Sequence, residues 1–317
     1  MKFCIIKKFT IFANIQEISG RIIIMRIYTD CIPCQIRQAL NSIKMLSKDE
    51  KLINEALKQS LETASNFSSY ENIFFLYKDI QDIIKKIMPD GDPYKVFREK
   101  FNGICMNLTD DLKRLIQNSN DKFEMGLKVC LSGNSIDVMQ GQKISEELLK
   151  RAIDSSLKQK LDNSKIKLLK DKIQKAKNIL FIGDNSGEIV FDKIFIELLK
   201  DEFLKSGKIT YVVRGGPTLN DSTMEDAVLV GMDKVVEVIT TGAALPAAYF
   251  PLCSEEFLKY YANSDLVISK GMGNLEALID EKKGIFFLLK IKCSVIAELL
   301  QGRHKVDDIV IESMNKN

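Results

Sequence analysis

Asn178-Ile-Leu-Phe-Ile-Gly-Asp-Asn-Ser-Gly-Glu188 decides the fold, because an apolar run stops at an acid, an amide and a glycine before a helical pattern resumes. Ile179 to Ile182 read as a buried parallel strand, and Ile189, Val190, Ile194 and Leu198 have the spacing of a helix that starts just after the turn. Asp184 and Asn185 then stand at the carboxyl end of a strand, in the crevice where open α/β sheets bind ligands. The helix start beyond them offers unpaired backbone N–H groups and a partial positive charge, which suit a phosphate. A carboxylate and an amide oxygen beside an anion site suit a hard divalent cation. The simpler reading is a turn with a helix cap, since Asp, Asn, Ser and Gly are the usual residues of both.

Two further segments weigh against that simpler reading. Ile209-Thr-Tyr-Val-Val213 runs into Arg214-Gly-Gly-Pro-Thr-Leu-Asn-Asp221, and Leu266-Val-Ile-Ser269 runs into Lys270-Gly-Met-Gly-Asn-Leu-Glu276. In a parallel sheet all three apolar runs deliver polar groups to one edge, bringing together Asp184, Asn185, Asp221 and Lys270. That set supplies oxygens for a metal and a cation for a phosphate. Gly187, Gly215, Gly216, Gly271 and Gly273 would let backbone approach a phosphate with no side chain in the way.

These residues resemble the damage-control phosphatases, formerly catalogued as a domain of unknown function. The resemblance rests on Gly183-Asp-Asn-Ser-Gly-Glu188, on Gly215-Gly-Pro-Thr-Leu-Asn-Asp221 with Met224-Glu-Asp226, and on Lys270-Gly-Met-Gly-Asn274 with Glu276. Asp30-Cys-Ile-Pro-Cys-Gln-Ile-Arg37, Asp92-Pro-Tyr94 and Ser132-Gly-Asn-Ser-Ile-Asp137 extend it over roughly residues 25 to 300, in the order of the prokaryotic branch with an N-terminal Cys-x-x-Cys. It implies a metal-dependent phosphatase of phosphorylated metabolites. By that resemblance Asp184, Asn185 and Asp221 hold one divalent metal ion and Lys270 contacts the phosphate. Asp184, Asp221 and Lys270 count as catalytic, with Asn134, Gly187, Glu188, Arg214, Gly215, Gly271, Asn274 and Glu276 as substrate-binding candidates.

A pass along the chain separates two regimes. From about Ile32 to Lys175 apolar residues recur at three and four, as in Ile36, Leu40, Ile43 and Leu46, which predicts a helical region over 25–175. From 176 to 317 strands near 178–182, 209–213, 234–239, 265–269 and 285–289 alternate with helices, which predicts a mainly parallel sheet in a three-layer α/β/α domain. Asn134 and Asp137 can reach the crevice from the helical side, or simply cap a helix. Residues 1–24 read as an extension ahead of a start at Met25, or as a weak extra strand or tail. They are too interrupted by polar residues for a signal peptide or a membrane span.

Composition excludes several chemistries. Forty-six Lys and Arg against 43 Asp and Glu leave a formal charge of +3, which is no electrostatic footprint for nucleic acid. His304 is the one histidine, in a loop that reads as surface, so His-dependent nucleophilic catalysis lacks a base and the metal must be held by oxygen. Hardness favours magnesium or manganese, with cobalt or nickel admitted by availability. Seven scattered cysteines suit a cytoplasmic chain without a disulfide framework. Cys31 and Cys34 stand apart as a pair able to bind metal, undergo redox chemistry or do neither, whereas Cys4, Cys105, Cys130, Cys253 and Cys293 read as small core residues. The attacking group is left open between activated water, the favoured choice, and a carboxylate such as Asp184. Two other functions stay in view: an S-adenosylmethionine-dependent carboxyl methyltransferase, disfavoured by the lack of closely spaced glycines after the first strand, and a non-catalytic metal- or nucleotide-binding module. No membrane partner is expected, and the sequence fixes no oligomeric state.

Overall fold

A computed structural model describes residues 27–89, 91–135 and 146–314. The readings of residues 1–24 and of Asp137 fall outside those residues. Among the described residues eight α-helices come first: α1 (Cys31–Leu46), α2 (Glu50–Ser65), α3 (Ile73–Ile87), α4 (Lys95–Met106), α5 (Thr109–Gln117), α6 (Lys122–Ser132), α7 (Glu146–Leu157) and α8 (Asn163–Lys175). Their starts follow local chemistry. Asp49, Asn72, Asp121 and Asp162 each accept hydrogen bonds from backbone N–H groups of the first turn that would otherwise lack partners.

Alternation then sets in: β1 (Asn178–Ile182), α9 (Glu188–Leu198), β2 (Lys208–Val213), α10 (Met224–Leu229), β3 (Glu237–Thr240), α11 (Glu255–Asn263), β4 (Leu266–Lys270), α12 (Met272–Leu278), β5 (Ile285–Lys290), α13 (Ser294–Leu299) and β6 (Ile309–Met314). The sheet order is β3-β2-β1-β4-β5-β6; the first five strands are parallel and β6 runs antiparallel to β5. The expected α/β architecture with a helical N-terminal region is therefore present. Two details differ. Lys234 to Val236 precede β3 in a turn, and β6 was not foreseen, because six residues ending in Glu-Ser-Met give too short an apolar run to stand out.

Side-chain alternation builds two cores. Ile179, Phe181, Ile209, Tyr211, Val213, Leu266 and Ile268 face one side, where they pack with residues of α4 to α10 such as Phe101, Phe123, Leu131, Phe191 and Phe195. Leu180, Ile182, Val212, Val267, Phe287 and Leu289 face the other, against α11, α12 and α13. The helices from α4 onward thus share a core with the sheet, whereas α1 to α3 form a cluster of their own that meets the α/β part at Ala247. Strand order reverses at β1, with β2 on one side and β4 on the other. That reversal opens a crevice outside the carboxyl ends of β1 and β4. The three glycine-bearing turns read from sequence all leave the sheet at this edge.

Candidate functional site

Backbone contacts fix the first two turns against each other before any side chain is considered. Ser222 N–H donates to the Asp184 carbonyl at 2.8 Å, Arg214 N–H donates to the Ser222 carbonyl at 2.9 Å, and Asn185 and Asp221 form an antiparallel bridge. Leu219, just before Asn220-Asp221, holds φ at 45°, a conformation an apolar residue rarely adopts, so the surrounding contacts must impose it. One of them comes from the helical region, where the Tyr77 hydroxyl lies 2.7 Å from Thr218 Oγ1.

Side chains from four segments then converge. Arg214, 1% exposed, donates through Nε to Asp221 at 2.6 Å, through Nη2 to Asp184 at 3.1 Å and through Nη1 to Asn274 Oδ1 at 3.0 Å. Asn134 Nδ2 donates to Asp184 at 3.2 Å and Glu188 at 3.1 Å, while its Oδ1 accepts from Lys290 N–H, so this residue of the helical side does enter the crevice. Asn185 Nδ2 donates to Asp184 at 2.8 Å and to Glu188 at 3.4 Å, so its amide oxygen is the atom that could hold a cation. Asn274 donates to the carbonyls of Gly183 and Lys270 and ties α12 to both strand ends. Burial, then the charges of Asp221 and Glu188, push the Asp184 carboxyl up to about 8 against the opposing pull of Arg214 and Lys292. Asp221 is raised in the same direction, by burial first, with Arg214 opposing.

Lys270 differs from its sequence reading. Its ammonium is fully buried, donating to Asp192 at 2.6 Å and to the Cys130 carbonyl at 3.0 Å, with Glu188 at 3.4 Å. Alternation along β4 puts residue 270 on the same face as Leu266 and Ile268, beneath α9, rather than out in the crevice. The missed signal was a pair of acids one helical turn apart, Glu188 and Asp192, on the helix that covers that face. Lys292, just past β5, was also missed. It is half-buried, its backbone N–H is held by Met272 Sδ, and its charge is felt at Asp184.

The helix start is less open to an anion than expected. Gly187 N–H donates to Asn102 Oδ1 at 2.6 Å, Ser186 N–H to the Asn220 carbonyl, and Asn185 N–H to Glu188 at 3.3 Å, so these donors are already satisfied within the protein. Asn102 is in turn fixed by Asp226, which also pairs with Arg98, itself bound to Asp92. The glycines likewise serve protein packing. A Cβ on Gly271, whose φ is 81°, would lie 2.1 Å from the Asp184 carboxylate, and one on Gly187 would enter the Phe101 ring. Gly215, whose N–H donates to the Ala243 carbonyl, meets the Gly242-Ala243 backbone at the same range.

Glu276 lies among thiols. Its charge is felt at Cys31, Cys34 and Cys293, and burial raises its own carboxyl to about 7. Burial raises all three thiols, Cys31 to about 11, so they stay protonated and free. Cys293, read as a core residue, is half-buried in this group. His304, read as surface, is half-buried with Nε2 2.7 Å from Glu312. Among the described residues no three His, Cys, Asp or Glu side chains are already drawn together as a metal cage.

A family model for the damage-control phosphatase ARMT1-like domain matches residues 27–306. The chain belongs to the damage-control phosphatase family. It is 36% identical over 286 residues to an uncharacterized protein of Methanocaldococcus jannaschii, covering 86% of this chain and 91% of that one. It is 30% identical to a damage-control phosphatase of Pyrococcus horikoshii, over 87% of this chain and 95% of the relative, and 32% identical to one of Archaeoglobus fulgidus, over 86% and 94%. The crystal structure of a DUF89 family protein from Pyrococcus horikoshii superposes with a TM-score of 0.79 at 29% identity, covering 90% of this chain and 98% of the other. Within the damage-control phosphatase family match lie all the turns described above.

The donor set suits a divalent cation. Asp184, Glu188, Asp192 and Asp221 are four buried carboxyls against two buried cations, Arg214 and Lys270, so full ionisation leaves two negative charges without a partner in this group. Ser186 Oγ and Ser222 Oγ are buried with no hydrogen-bond partner among the described residues, a costly arrangement unless another group completes it, whereas Glu188 Oε1, also without a hydrogen bond, faces the Lys270 ammonium at 3.4 Å. A surface hollow of about 380 Å³ lined by Glu55, Gln59, Asn66 and Ile83 lies on the helical region and carries none of this chemistry.

Proposed function

We propose that this protein is a metal-dependent phosphomonoester hydrolase acting on small, damaged or side-product phosphometabolites. The observation that carries the reading is the pair Asp184 and Asp221 on turns locked together by backbone at the strand-order reversal, in a buried group that holds two more carboxyls than cations. Family membership and the named relatives speak for a phosphatase over a carboxyl methyltransferase. Asp184, Asp221 and the Asn185 amide oxygen would hold one magnesium, manganese, cobalt or nickel ion, which supplies positive charge to polarise a phosphoryl oxygen and lower the pKa of water.

The chain's own residues do the rest. Arg214 ties Asp184 to Asp221 and so sets their spacing. Asn134 and Asn185 orient the Asp184 and Glu188 carboxylates by donating to both. Asp184 or Asp221 would assist proton removal from the attacking water, since burial raises both carboxyls above the ordinary aspartate range. Lys270 supplies fixed positive charge under the site, and Lys292, half-buried and with its charge felt at Asp184, is the cation for the substrate phosphate. Gly187, Gly215 and Gly271 act by letting these turns close on one another. Glu276 contributes at the far end of α12, beside the thiols.

Metal-stripped protein assayed against p-nitrophenyl phosphate, with magnesium, manganese, cobalt or nickel restored singly, tests the reading. Phosphate release that returns with metal supports it, and a panel of phosphometabolites then narrows the substrate. Retained metal binding without phosphate release under any condition would convert the protein into a binding module.

A further inference from the structure

Asp192 lies one helical turn after Glu188 on α9, and both side chains are fully buried. Like charges at this spacing repel even on an exposed helix, and burial makes the repulsion worse. The Lys270 ammonium lies between them but is shared unequally, at 2.6 Å from Asp192 and 3.4 Å from Glu188. Asp192 is well supplied with other donors: the Tyr211 hydroxyl at 2.8 Å and the Cys130 thiol at 3.1 Å. Glu188 receives its hydrogen bonds on Oε2, from Asn134 and Asn185, while Oε1 has none.

We infer that Asp192 is a positioning residue for the crevice: it holds the Lys270 ammonium on its own side, and so leaves the charge of Glu188 in the set that attracts a divalent cation. Asp192 itself need touch neither cation nor substrate. The inference rests on the crevice being a divalent-cation site, and it assigns that site's charge balance to a residue in the interior. Were Asp192 neutral, the ammonium would find its one remaining counter-charge on Glu188 and shift the short distance toward Oε1. One negative charge would then be lost to the crevice although no crevice residue had changed.

The test uses Asp192→Asn, which keeps the shape and an acceptor for Tyr211, together with Lys270→Met/Asp192→Asn, which removes both members of the pair. A crystal structure of Asp192→Asn is expected to show Lys270 Nζ in hydrogen-bond contact with Glu188. Its dissociation constant for Mn²⁺ should rise about tenfold, the usual cost of losing a group that supports a metal site from behind. The double variant should recover Mn²⁺ affinity to within about threefold of the parent, because neutral replacement of a whole buried pair is tolerated. A residue that merely maintained structure predicts the reverse, with two lesions binding worse than one.

Unmoved Nζ in Asp192→Asn, parental Mn²⁺ affinity in that variant, or a folded double variant no better than the single would each overturn the proposal. Should Asp192→Asn fail to fold, a folded double variant supports the charge partnership and an unfolded one overturns it. Absence of Mn²⁺ binding by the parent protein would instead sink the cation-site reading, while the position of Nζ would still decide what Asp192 does.

Discussion

The Arg214 cluster and the Lys270 cluster are made from similar parts, one cation between two carboxylates, yet they occupy different kinds of place. Arg214, Asp184 and Asp221 stand on turns beyond the strand ends, where each carboxylate has neighbours in the crevice and two amides, Asn134 and Asn185, supply further donors. Lys270, Glu188 and Asp192 stand on a strand and the helix over it, with all three side chains 0% exposed. The outer carboxylates stand at the strand ends, where the proposed cation would bind. The inner set is enclosed, so its charges act on the crevice from a fixed position. A buried ion pair is a weak source of stability in itself but a costly thing to halve.

The sharpest way to break the comparison is to remove an outer carboxylate. Asp184→Ala or Asp221→Ala should lower metal-dependent phosphate release by about three orders of magnitude or more, beyond what loss of a single electrostatic contact produces. Circular dichroism should be close to the parent's, and Asn185→Ala should be milder, since a neutral amide holds a cation less strongly. Full turnover in Asp184→Ala would remove the outer cluster from the chemistry.

Lys270→Met addresses the inner cluster. Turnover is expected to fall by about two to three orders of magnitude, as for one preorganised contact, without weaker manganese binding. Because two buried acids then lose their counter-charge, thermal or denaturant unfolding should also show a loss of about 3 kcal/mol or more. A silent substitution at this position would mean that the inner cluster has no part in catalysis.

Lys292→Met sharpens the contrast between the two lysines. Half-buried, with its charge felt at Asp184, Lys292 should on loss raise KM roughly tenfold or more, the worth of one hydrogen bond to a charged group, and leave stability nearly unchanged. Steady-state kinetics on both lysine variants separate a cation that binds substrate from one that is built into the fold.

Smaller effects are expected at the thiols. Cys31→Ser with Cys34→Ser should keep metal-dependent activity within about tenfold of the parent, because the proposed ligands are all oxygen and include neither thiol. Joint loss of bound metal and activity would move these thiols into the active site. Glu276 beside them should show in the pH dependence of stability. Its folded carboxyl titrates near 7 instead of its ordinary 4.5, so the folded state holds that proton more tightly than the unfolded chain. The resulting stabilisation is fully present below the ordinary value and is lost as pH rises through the folded one. Glu276→Gln, which has no proton to lose, should flatten the fall in Tm between about pH 5 and pH 8; an unchanged profile would show that Glu276 is not the group responsible.

Sequence patterning located the turns well and the side-chain orientations poorly. Gly183-Asp-Asn-Ser-Gly187 and Arg214 to Asp221 announce themselves because turn chemistry follows directly on apolar runs. Lys270 is part of the same pattern, but one strand residue more or less points a side chain to the opposite face. Gly271 and Gly187 were legible as special positions, yet the reason for each, the Asp184 carboxylate in one case and the Phe101 ring in the other, belongs to partners distant in the chain. Asn102, which takes up the Gly187 N–H from α4, had no local signal at all.

By itself the sequence determined the α/β class, the helical N-terminal region, five of the six strands and the two acid-bearing turns, since these depend on periodicity and on the residues that stop a strand. Tertiary structure alone decided which charges share a cation, that Lys270 faces inward and Lys292 lies near Asp184, and that the charge of Glu276 is felt at Cys31, Cys34 and Cys293. The physical reason is that periodicity records whether a side chain is buried, whereas the partner it finds there is set by how separate elements come to lie against one another.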